Sequence, residues 1–202
     1  MNLTLLTAIF RAAQVLAVAK SVPARSVTEL VSLSEKRPVA YGTVGRGGPG
    51  HILMEMLAGE TGGRFENAVY RTEATVVQDM IGGAIPGFMG SLMLALSQHP
   101  AGGIRILALT TPRRIAARPE VPCFAELGLS ALTFLYCHGL AVPAGTRRPV
   151  VERLHSAVAM LSEAVRSRMT PDVTSPAEFT ASIQRETAAL TKMIEERGIT
   201  AG

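Results

Sequence analysis

The stretch Tyr41-Gly-Thr-Val-Gly-Arg-Gly-Gly-Pro-Gly-His51 decides how this chain is read. Just before it, Val39 to Val44 is short, apolar and bounded by Pro38, as a buried strand is. Just after it, Ile52, Leu53, Met56 and Leu57 recur at helical spacing. Glycines between a strand and a helix let the backbone take positive φ and approach a ligand closely. The first helical turn leaves N–H groups without partners inside the helix, and the helix dipole adds to their field. Such a loop suits an anion, a carboxylate or a phosphate. Its alternative is a plain strand-to-helix turn that holds nothing.

Outward from the loop, the same alternation recurs. Gln14 to Ala19 reads as a buried strand. Ser26-Val-Thr-Glu29 is a capping box opening a helix with Val27, Leu30 and Val31 on one face. Phe65 to Tyr70 is a strand, and Thr72 caps a helix holding Val76, Val77, Met80 and Ile81. Ala84 to Met89 is a weak strand, because Pro86 and Gly87 disfavour it. Ser91 to Gln98 reads as helix and Ile104 to Leu109 as strand. This order predicts a parallel α/β sheet covered on both faces. After Thr110 comes a Pro- and Arg-rich wrap over 112–130, then a strand from Leu135 to Val142. Two long helices close the chain. The first carries Val151, Leu154, Val158, Leu161 and Val165. The second opens on the capping box Ser175-Pro-Ala-Glu178, carries Phe179, Ile183, Leu190 and Ile194, and stops at Gly198. Both apolar stripes require a surface to pack on.

Composition narrows the function. The 202 residues are 48% hydrophobic and 18% charged, enough to bury a core. The net charge of +4 is scattered and not interleaved with aromatics, so no nucleic-acid partner is expected. No run reaches the ~18 apolar residues of a membrane span. The first residues lack a leading positive charge and Arg11 interrupts their apolar run, so no signal peptide is expected and the chain as written would stay in the cytoplasm. Cys123 and Cys137 make no disulfide framework, and two unbridged thiols are the simpler reading. With no CxxC, and with His51, His99, His138 and His155 dispersed, no metal site is expected.

Gly45, Gly47 and Gly50 fit GxGxxG, but a dinucleotide site needs an acid at the end of the next strand. Glu66 lies at that strand's start, and Pro49 removes a donor from the cradle, so no cofactor is expected. Cys137 and His138, adjacent on a strand, point to opposite faces and form no dyad. No catalytic residues emerge, and an enzyme is not expected. His51 either touches a bound anion or serves as a capping and packing residue.

The landmarks resemble those of Bug-type extracytoplasmic solute receptors, the substrate-binding proteins of tripartite tricarboxylate transporters. Leu16-Ala-Val-Ala-Lys-Ser-Val-Pro-Ala-Arg-Ser-Val-Thr-Glu-Leu30 is similar to the family's apolar strand, Pro-Ala turn and Ser-Val-x-Glu-Leu helix. The loop from Tyr41 to His51 resembles its Tyr-Gly-Ser-x-Gly-x-Gly-Ser-x-x-His stretch, and Val69-Tyr70-Arg71 its Pro-Tyr-Lys. Arg105-Ile-Leu-Ala-Leu-Thr-Thr111, Arg113-Arg114, Pro119-Glu-Val-Pro122, Ala125-Glu-Leu-Gly128 and Gly139-Leu-Ala-Val-Pro-Ala-Gly-Thr146 follow in the family's order.

The resemblance implies a type II periplasmic-binding-protein fold: two α/β lobes closing on a small carboxylate, with no chemistry. It implies a nearly complete second lobe over 14–138, with 139–202 giving a return strand and the C-terminal helices of an incomplete first lobe. It also implies a periplasmic receptor working with membrane transporter subunits. Ligand-binding residues would be Gly42, Thr43, Val44, Gly45, Gly47, Gly48, Gly50 and His51, with Tyr70 and Arg71 beside them. Four departures stand out. The first lobe's own loop is missing. Ile85-Pro-Gly-Phe-Met-Gly90 replaces a stretch with two aspartates, and Cys137-His138 replaces an aromatic pair. Between Arg168 and Ser175 the chain runs several residues short. The rival expectation is a truncated remnant that binds nothing, or a module that forms a homodimer through exposed helix faces.

Overall fold

The computed structural model describes residues 3–98, 102–165 and 174–196. In chain order the elements are β1 (Leu3–Ala19), α1 (Val27–Lys36), β2 (Val39–Val44), α2 (Pro49–Thr61), β3 (Phe65–Tyr70), α3 (Glu73–Ile81), β4 (Gly87–Ser91), α4 (Leu92–Gln98) and β5 (Ile104–Leu109). Two 3-10 turns follow, Phe124–Leu127 and Ser130–Leu132, then β6 (Leu135–Pro143), α5 (Arg148–Val165) and α6 (Pro176–Glu196). The described residues divide into two compact units, one of residues 13–135 and one that joins 3–12 to the described part of 136–196.

In the unit of residues 13–135 the strand order is β3-β2-β4-β1-β5. β2 runs parallel to β3 and to β4, whereas β1 is antiparallel to both β4 and β5. The expected all-parallel sheet is therefore a mixed one. Its βα repeats do run parallel, and β1 enters from the other direction between β4 and β5. The pairing of β1 with β5 slips between Leu16 and Ala17, so that Leu16 faces Ala108 and Ala17 faces Ile106. β1 also begins at Leu3 rather than Gln14, which makes it a strand of 17 residues. β4 starts at Gly87, past Pro86, because proline cannot donate to a ladder.

Alternation divides the core between two faces of this sheet. On one face Phe88, Val15, Ala17 and Ala19 pack with Val76, Val77 and Met80 of α3 and Ala95 of α4. There Gly42 is a packing glycine: a Cβ on it would lie 2.3 Å from Val76 Cγ1. α2 carries an almost unbroken buried run from Gly50 to Leu57, interrupted at Glu55, as befits a helix covered on more than one side.

Local chemistry sets the helix ends. Ser26 Oγ accepts from Glu29 N–H at 3.1 Å, and Glu29 reaches back one residue further than a capping box requires, to Arg25 N–H at 2.7 Å. Thr72 Oγ1 caps α3 by accepting from Thr75 N–H at 3.3 Å. Gly62, at φ 72°, ends α2 in the left-handed conformation that a side chain resists.

In the other unit, β6 pairs with β1. Phe179 of α6 is buried there, and a Cβ on Gly139 would meet its ring at 2.3 Å. Arg11 donates to Glu186 at 2.8 Å and to Ser182 Oγ at 2.9 Å. Ser175 and Glu178 form the capping box expected at the start of α6. His138 stacks on Phe10 at 4.5 Å and meets Tyr136 edge-on, which uses its ring for packing. Cys123 and Cys137 form no disulfide. The expected shortening between Arg168 and Ser175, the stop at Gly198 and His99 lie outside the described residues, as do the side chains of Leu161 and Val165.

Candidate functional site

Parallel strands place their carboxyl ends on one edge, where open α/β sheets bind ligands. The ladder pairs Val44 with Tyr70 and Gly42 with Phe88, so β2, β3 and β4 all end on that edge. The loop at the end of β2 has Gly45 at φ 76° and Gly47 at φ 72°, the left-handed conformation that glycine takes readily. Gly48 is the N-cap of α2 and carries no side chain to cap it, while Pro49 at the first helical position has no N–H to offer. The amides of Gly50 and His51 follow in that first turn, whose donors have no intrahelical acceptor.

Close packing holds this loop in place. A Cβ on Gly50 would lie 2.4 Å from the Met89 carbonyl oxygen, so only glycine lets α2 begin this near β4. A Cβ on Gly48 would lie 2.7 Å from the Val44 carbonyl. Gly47 N–H donates to His51 Nδ1 at 3.1 Å, and His51 Nε2 sits 3.6 Å from Glu55 Oε1. The ring is buried, with one nitrogen accepting from the loop, so His51 clasps the turn from behind. Beneath it, Tyr41 is buried with its phenol pushed up by burial and then by the Glu55 carboxylate.

The residues singled out from sequence thus gather on one edge but differ in what they can offer. Gly45, Gly47 and Gly48 form the turn. Val44 is exposed beside it. Gly42, Thr43 and Gly50 face inward; Thr43 is buried and its hydroxyl donates to Asn67 Oδ1 at 2.7 Å. Tyr70 is spoken for as well, since its hydroxyl donates to Asp79 Oδ2 at 2.9 Å. Burial, followed by that bond and the Asp79 charge, raises its phenol. Arg71 is exposed one residue beyond β3.

Sequence reading missed Glu73. It opens α3 on the same edge and accepts from Ser91 N–H at 3.0 Å. Burial raises its carboxyl above the usual range, against the opposing effect of that bond. Its place directly after the Thr72 cap was a visible signal, but such acids ordinarily lie in solvent. Among the described residues no cluster of three or more His, Cys, Asp or Glu could hold a metal, and no helix is long and apolar enough to cross a membrane.

The fold matches that of solved periplasmic solute-binding proteins. The chain belongs to the tripartite tricarboxylate transporter family of receptors, whose family model it matches over residues 1–198. A protein from Agrobacterium vitis, described as a UPF0065 protein in the TAR-I ttuE-ttuC' intergenic region, is 27% identical over 191 residues, 89% of this chain and 55% of its own length. Another UPF0065 protein, from Pseudomonas sp. strain P51, is 29% identical over 137 residues and is covered for 41% of its length. The chain therefore spans about half the length of these curated relatives. Among solved structures, an R. palustris protein with adipate superposes with a TM-score of 0.89 at 26% identity, over 99% of this chain and 70% of that one. BugD, a periplasmic binding protein, shares the fold with a TM-score of 0.88 at 17% identity.

Proposed function

We propose that this chain captures a small carboxylate through backbone amides of the turn from Gly45 to His51. In this reading it is the receptor component of a tripartite carboxylate uptake system, works in the periplasm and hands its ligand to membrane transporter subunits. The observation that carries the reading is the uncapped start of α2 directly behind two positive-φ glycines. Such a site offers converging N–H donors and the positive end of a helix, which favours negative charge. The adipate held by the R. palustris relative supports a dicarboxylate as the class. The exposed Arg71 would add a side-chain cation to the amides, whereas Gly42, Thr43 and Tyr70 shape the edge without facing the ligand. His51 acts as a positioning residue.

Residues 14–138 are one lobe in this reading, and 139–202 are a share of the other. The apolar Val150, Leu154 and Met160 on α5, each at least 40% exposed, are the surface a fuller lobe would cover. One lobe supplies only part of the contacts, and each ~1.4 kcal/mol lost weakens binding tenfold, so weak affinity is expected.

Thermal unfolding with mono-, di- and tricarboxylates tests the proposal. A dicarboxylate should raise the midpoint. His51→Asn, whose side-chain oxygen can still accept from Gly47, should keep the response, and His51→Phe should lose it. Equal responses of both variants and the parent would remove His51 from this role, and no response to any acid would sink the proposal.

A further inference from the structure

The opposite edge of the same sheet carries a cleft of about 710 Å³. It opens where β2 and β4 begin and β1 ends, at the distal end of the six-residue β2 from the glycine turn. At 3.3 Å per residue that separates the two places by roughly 17 Å. A volume of this size falls in the range of small-molecule sites.

The floor and the rim of this cleft differ in chemistry. Ala19, Val39 and Ile85 are buried in the floor, and Val22 and Leu33 are half-buried. At the rim stand Lys36 and Arg37, both exposed, and no acid lines the cleft. Neither cation forms an ion pair with a described residue.

The surroundings also favour negative charge. The C-terminal carbonyls of α1 would ordinarily repel an anion here. Instead Arg64 Nε donates to Ser34 O at 3.1 Å and its Nη2 to Glu35 O, which leaves the Lys36 and Arg37 charges uncommitted to capping. Beside the wall formed by Ser21 to Pro23, Arg105 Nη1 donates to Val22 O at 3.2 Å and to Ala24 O at 2.8 Å, covering these carbonyls too. An apolar floor under a cationic rim selects a molecule with an apolar body and an acidic head.

We propose that this cleft is a second ligand site, independent of the glycine turn, for an amphipathic organic anion: a monocarboxylate with an aliphatic or aromatic body. The test titrates the 202-residue chain with octanoate by calorimetry, beside octan-1-ol and octylammonium. The expected result is saturable binding of octanoate, with the neutral and cationic analogues much weaker. Lys36→Gln/Arg37→Gln, both at exposed positions, should weaken octanoate at least about tenfold, the scale of losing charge-assisted hydrogen bonds. Adipate in excess should leave octanoate binding unchanged, which separates this site from the glycine turn. No saturable binding of octanoate, equal binding by the double variant, or displacement by adipate would each overturn the proposal.

Discussion

The unit of residues 13–135 and the unit formed by 3–12 with 136–196 use similar amphipathic helices to different effect. In the first, α3 has nine residues yet sinks Val76, Val77 and Met80 to 2% exposure or less. In the second, α5 and α6 have 18 and 21 residues, but among their described side chains only Val158 and Phe179 are buried. Helix length and an apolar stripe therefore do not by themselves make a core. A sheet face must be there to receive the stripe, and burial of apolar surface supplies most of the stabilisation. The unit with five paired strands has that face.

The largest expected effects lie on the sheet side of this comparison. Phe88→Ala removes a fully buried ring and should lower unfolding stability by about 3–5 kcal/mol. Gly50→Val should be at least as damaging, because its Cβ meets a backbone oxygen rather than a movable side chain. Leu154→Ala, at a position 40% exposed, should change stability by no more than about 0.5 kcal/mol. Urea unfolding compares all three, and a loss at Leu154 as large as at Phe88 would break the contrast.

Cap removal sharpens the comparison on a smaller scale. Thr72→Ala should cost about 1 kcal/mol of global stability, since α3 is packed into the core. Ser175→Ala should instead loosen the first turn of α6 locally, read as faster amide exchange at Phe179, whose N–H bonds to the Ser175 carbonyl, with the main transition unmoved. A shift of the main transition by Ser175→Ala would show that α6 unfolds together with the sheet.

A weaker effect is set by pH. Burial holds the Glu73 carboxyl above the range it has in the unfolded chain. Between those two values the folded protein binds the extra proton, so stability is greatest below that window and falls as pH rises through it. Glu73→Gln should flatten this slope. A parent protein whose stability rises with pH across the window, with the rise lost in Glu73→Gln, would reverse the sign.

Much of the first unit was legible in the sequence because its signals are local. The caps at Ser26 and Thr72, the turn at Gly45–Gly48 and the strand-helix alternation each depend on neighbours within a few positions. Strand direction was not legible, since nothing within Gln14–Ala19 reveals that its partners are Gly87–Ser91 and Ile104–Leu109 running the other way. The extension of β1 back to Leu3 was hidden for the same reason, because those residues pair with a strand more than a hundred positions later. At the site, the glycine turn could be read, but the roles of its neighbours could not. That the Tyr70 hydroxyl is taken by Asp79, and the Gly47 amide by His51, depends on side-chain geometry rather than residue type.

The account rests most on the glycine turn as a carboxylate site. An amide-resolved NMR titration of the chain with adipate addresses it directly, and remains informative when binding is weak. The account predicts saturating shifts centred on the amides of Gly48, Gly50 and His51, with the amides of Val22 and Val39 at the opposite edge unmoved. Shifts confined to that opposite edge, or none that saturate, would contradict it.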